Sequence, residues 1–121
     1  MANKESVRLG FLLAFCFVVP KGFAEGKKVT LTGHLVDQMC GGGVREVSKA
    51  KEHSKECALM DRCARSGYGI FADGRFIKFD APSSGQAKEL LEKSTREKDI
   101  QVTVEGTQDG DILTLTSIKE K

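Results

Sequence analysis

The chain has 121 residues, room for one domain, with 19 Lys/Arg, 17 Asp/Glu and a formal charge of +2. Lys4, Arg8, Lys21 and Glu5 fall in the first 24 positions, so residues 25–121 keep sixteen charges of each sign and are formally neutral. With no basic cluster, no Trp and one Tyr, the chain lacks both the charge footprint and the stacking platform of a nucleic-acid binder.

Residues 1–24 have the three regions of a secretory signal. Lys4 and Arg8 give a positive start, and residues 9–19 (LGFLLAFCFVV) form an uncharged apolar run. Pro20 breaks that run, and Gly22 and Ala24 supply small residues for cleavage before Glu25. The run is too short to span a bilayer, which takes about 20 residues. Cys16 follows the bulky Phe15, where a lipid-anchor signal requires a small residue, so Cys16 is expected to leave with the signal. The expectation is export to the periplasm or the extracellular space. Residues 25–121 then form one domain with no stable membrane span after signal cleavage.

Residues 29–36 (VTLTGHLV) alternate apolar and polar, the period of a half-buried strand. Gly33 inside it marks a bulge or a bend. Residues 37–43 read as loop, and residues 44–65 as one helix or two short ones, stopped by Ser66 and Gly67. Residues 68–72 and 75–79 form a hairpin on Asp73 and Gly74, a favoured two-residue type I′ connection. Ser83 and Gln86 fit a capping box for a helix to about Thr95, with Ala87, Leu90, Leu91 and Ser94 inward. Residues 100–104 and 112–118 are the last strands, joined through Asp109, Gly110 and Asp111.

The fold class is therefore mainly β with helices (α+β). Five short strands, a helical insert after strand 1 and a helix between strands 3 and 4 give the element order of an OB-like Greek-key barrel. Closing the sheet also removes exposed edges that so few strands would otherwise present. The alternative is an open sheet with the helices on one face. In the barrel, the loops after strands 1 and 4 flank the usual binding face, which places residues 40–63 there.

Those residues hold three of the four cysteines and His53. Three cysteines remain after signal cleavage, an odd number that calls for explanation in an oxidising compartment. One reading is a disulfide staple. Along a continuous helix Cys57 and Cys63 stand roughly 9 Å apart, beyond the bridgeable limit of about 7 Å; Cys40 would then pair with one of them. A second reading is a metal site of Cys40, His53, Cys57 and Cys63, suited to zinc or, with Met60 nearby, to copper(I). A third is a thiol–disulfide role for the leftover cysteine, although no C-x-x-C is present. Asp37 reads as a turn residue, or as a carboxylate orienting a ligand. His34 is expected at a rim or in solvent, and Met60 in the core. No nucleophile elbow, P-loop or HExxH appears, so nothing supports a hydrolase.

The pattern Gly33-x-x-x-Asp37-x-x-Cys40, His53-x-x-x-Cys57, Cys63, the Asp73-Gly74 hairpin, VTVEG at 102–106 and the closing DGDxLxxxSI resembles a group of small exported bacterial proteins. The likeness covers nearly all of residues 29–118. It implies an OB-like barrel carrying a Cys/His insert and no particular activity. The functional expectation is a small binding or structural module of the cell envelope, facing a protein or small ligand there. The alternative is a thiol-redox or metal-handling accessory.

Overall fold

A computed structural model describes residues 26–121; the signal reading of residues 1–24 and Cys16 lie outside them. The elements in order are β1 (Lys27–Asp37), α1 (Gln38–Gly41), α2 (Val47–Glu52), α3 (Lys55–Ala58), α4 (Asp61–Ser66), β2 (Tyr68–Ala72), β3 (Arg75–Phe79), α5 (Ala81–Lys93), β4 (Gln101–Asp109) and β5 (Ile112–Glu120). The five strands form a mixed sheet closed into a ring in the order β1-β2-β3-β5-β4. All neighbours are antiparallel except β3 and β5, which meet in parallel at Lys78–Ile112 and Phe79–Leu113. The open-sheet alternative is excluded, because each of the five strands has a partner on both sides and the order returns through β4 to β1.

β1 makes that closure possible. Its first part pairs with β4 from Lys27 to His34, and its last part pairs with β2 from His34 to Asp37. The fork falls at Gly33 and His34. A Cβ on Gly33 would collide with the Phe71 carbonyl, so the bend read from this glycine is a place where two backbones touch. The hairpin is as expected too. Asp73 (φ 52°) and Gly74 (φ 81°) both adopt the left-handed conformation that a type I′ turn requires.

The ring encloses Ile70, Ile77, Phe79, Val102, Val104, Leu113 and Leu115, with Ala87 and Leu91 of α5 packed on them. Wholly burying a side chain such as Leu91 or Leu113 contributes roughly 1.5–3 kcal/mol. A second small cluster of Val36, Ala50 and Phe71, flanked by Cys40, Val44 and Phe76, joins the insert to β1 and β2.

Three local readings need correction. The stretch 44–65 is three short helices, because His53 and Met60 are both extended (ψ 126° and 146°). Ser54 caps α3 by accepting from the Cys57 amide, and Lys55 donates its amide to Glu97. Residues 38–41 are a helical turn capped by Asp37, not loop. The helix after the hairpin is capped by Asp80 rather than Ser83, with Pro82 in its first turn. Ser83 is instead buried, and its Oγ accepts from the Leu115 amide of β5 at 2.7 Å.

That last bond serves a strand amide with no water to turn to. Ser83→Ala is expected to lower unfolding free energy by about 1–3 kcal/mol, the cost of a buried unsatisfied group. The exposed Ser48→Ala should change it by less than about 0.5 kcal/mol. Urea titration of both variants checks the difference.

Candidate metal-binding centre

The four side chains singled out from the sequence sit on short elements at one edge of the ring, around a residue that was given a lesser part. Asp37 ends β1 and is fully buried (0% exposed). Its Oδ2 accepts from the Cys40 amide at 3.0 Å, which starts α1, and its Oδ1 is 2.7 Å from His53 Nε2. An N-cap carboxylate sits over the amide three residues on. The spacing Asp37-x-x-Cys40 therefore brings the Cys40 side chain beside the carboxylate.

Cys63 enters from α4, which packs on α1 and is tied to it by Met39 N–H donating to Ser66 Oγ at 3.0 Å. Asp37, Cys40 and Cys63 each present a ligand atom within 4.8 Å of the other two. His53 joins this group through Asp37, its Nε2 committed to the carboxylate. Cys57, half-buried on α3, is outside the mutual group of three, yet a negative charge on it would raise the pKa of both other cysteines. Asp37, read as a turn or orienting residue, is thus the group beside the two sulfurs, and His53, read as a ligand, meets them only through it. The carboxylate faces the sulfurs, and the imidazole orients the carboxylate.

The break between α3 and α4 also removes the helical spacing that separated Cys57 from Cys63. Met60, read as core, lies in this break and is 50% exposed. Tyr68, paired with Asp37 across β1 and β2, is buried beside the site, its hydroxyl donating to the Ala58 carbonyl at 2.7 Å.

Burial raises the Asp37 carboxyl, but the His53 hydrogen bond and the Cys40 amide outweigh it and hold the group below its ordinary value. The same burial pushes the Cys40 thiol up to about 11, with the Asp37 charge adding to the rise. Cys63 is raised for the same two reasons, burial first. Burial, then Asp37, takes Tyr68 to about 12. In the metal-free protein at neutral pH the centre is therefore an ionised carboxylate beside two protonated thiols. Reactive cysteines need the opposite shift, whereas a bound cation deprotonates a coordinating thiol outright.

His34, expected at a rim, is buried and bonded through Nε2 to Asp99 Oδ1 at 2.7 Å. It takes no part in the centre. No protein-family model, curated protein or solved structure matches the chain.

The pKa shifts set the pH dependence of the metal-free protein. Asp37 is lowered on folding, so it stabilises above its unfolded value, and that stability is lost as pH falls through the folded value. Asp80 and Asp99, also lowered, act in the same direction. Cys40 is raised, so the unfolded chain releases its proton first and stability falls as pH rises from 9.0 to about 11. Cys40→Ala should make this alkaline limb shallower, Cys63 and Tyr68, also raised, supplying the remainder, read from urea midpoints in chelator; an unchanged limb contradicts the assignment. His53→Ala should cost roughly 1.5–3 kcal/mol by removing a hydrogen bond to a buried charge.

Proposed function

We propose that the chain is an exported single-domain OB-like Greek-key barrel, akin to the group it resembles, whose insert holds one zinc-type divalent ion. Asp37, Cys40 and Cys63 are the ligands, and Cys57 is the nearest further sulfur for a fourth position. The strand order and the helix between β3 and β4 support the barrel reading. One observation carries the metal reading: a carboxylate with no exposed surface lies within 4.8 Å of two thiol sulfurs. A buried charge requires compensation, and a divalent cation offsets two of the three negative charges that the carboxylate and both thiolates would carry.

The oxygen in the set favours zinc over copper(I), which selects sulfur donors. The ion, when bound, supplies charge compensation and crosslinking. His53 holds Asp37 in place, Ser54 and Met60 set the breaks that let α3 and α4 turn toward it, and Tyr68 keeps α3 against the ring. The role is that of a structural or ligand-presenting module of the cell envelope. Among the described residues no helix is long and apolar enough to cross a membrane.

A second reading has its own support. The Cys40 and Cys63 sulfurs lie within 4.8 Å of each other on packed elements. An oxidising compartment would favour a disulfide between them, closing a loop of about 20 residues and contributing roughly 3 kcal/mol.

The two readings separate on protein purified from the exported space without added thiol. Elemental analysis should find one zinc per chain, intact mass should not change on reduction, and three thiols should alkylate after unfolding in chelator. Cys40→Ser, Cys63→Ser and Asp37→Asn should each lose the zinc on dialysis. A gain of two daltons on reduction, with no metal present, overturns the metal reading in favour of the staple.

A further inference from the structure

A cleft lies where β1 leaves β4 for β2. The fork at Gly33 and His34 opens a cleft of about 300 Å³, the lower end of the range for small-ligand pockets. It is lined from four directions: His34 of β1, Phe71 of β2, Gln101 of β4, and Arg45 and Val47 from the insert, with Asp73 of the hairpin tip at its border.

Its inner wall is rigid. His34 is 7% exposed and bonded to Asp99. Asp99 accepts a second bond from Gln101 Nε2 at 3.1 Å and donates its own amide to the Lys51 carbonyl of α2. Asp99 does this with φ at 55°, a left-handed backbone that aspartate tolerates better than most non-glycine residues. The insert, β1 and β4 are thereby fixed around one imidazole and one amide.

The outer wall is chemically incomplete. Val47 is 55% exposed, a large apolar side chain with no cover. Arg45 and Asp73, from the insert and the hairpin respectively, have no ion-pair partner among the described residues. A cation, an anion and an apolar wall around one small cleft complement a ligand with the same three parts. We infer that this cleft binds a small zwitterion with an apolar side chain, an aliphatic α-amino acid or the equivalent, independently of the metal centre. Arg45 takes the carboxylate, Asp73 the ammonium group, and Val47 the side chain; the side-chain oxygen of Gln101 is a further acceptor.

The test is a chemical-shift titration of the ¹⁵N-labelled protein with L-leucine. Two matched probes accompany it: isoamylamine, which is leucine without its carboxylate, and 4-methylpentanoate, which is leucine without its ammonium group. Leucine should give saturable shifts at the amides of Gly33, Ala72, Gly74 and Gln101, and bind at least about tenfold more tightly than either probe, a difference of about 1.4 kcal/mol. Arg45→Ala and Asp73→Asn, both at exposed positions and the latter compatible with a left-handed backbone, should each weaken leucine about tenfold while leaving the rest of the spectrum unchanged. Absence of saturable shifts, shifts away from the cleft, or equal binding of either probe overturns the inference. None of these results depends on whether zinc is bound.

Discussion

The bond between Asp37 and His53 is the constraint on which the insert depends. A carboxylate at the end of a central strand, with no exposed surface, must be satisfied on both oxygens or it destabilises the strand carrying it. One oxygen takes the Cys40 amide and so starts α1. The other takes His53 and so forces the chain to stop being helical there. Two of the insert's turns follow from one buried charge. The elements between them are too short to be stable alone, and they stand because they are tied to the ring at Asp37, Ala58 and residues 97–99.

Closure of the sheet makes a related demand on β1. A strand that pairs with two neighbours in succession must bend, and the bend needs a residue without a side chain at the crossing. Gly33 meets it, and His34 beside it is then held by Asp99. The chain thus carries two His–Asp pairs with the same 2.7 Å geometry, one on each side of the insert. They differ in what surrounds them: two sulfurs near the first, an open cleft beside the second.

Most of the scaffold was legible in the residues. Alternation in residues 29–36, the Asp73-Gly74 turn and the two closing strands each report a local period or a local backbone preference, and each agrees with the structure, except that β4 runs five residues past its expected end at Val104. The insert was harder to read because its shape is decided by long-range partners. His53 and Met60 sit in a stretch with helical spacing, and at His53 the bond to Asp37 and the docking of Ser54 and Lys55 on residues 97–98 break it. Ser83 looked like a cap because its hydroxyl stood three residues before a Gln; its true partner is 32 positions away. The weight given to Asp37 was too small for a related reason. An aspartate at a strand end reads as a turn, yet its spacing to Cys40 was the available sign that its carboxylate caps α1 beside that cysteine.

The central claim is that the Asp37 carboxylate and the Cys40 and Cys63 sulfurs share one ion. X-ray absorption at the zinc edge of the loaded protein addresses it most directly. The account predicts a mixed shell, with at least two sulfurs at about 2.3 Å and at least one oxygen at about 2.0–2.2 Å, and no zinc edge from Asp37→Asn dialysed in the same way. A shell with one sulfur or none, or a shell unchanged by that substitution, would contradict it.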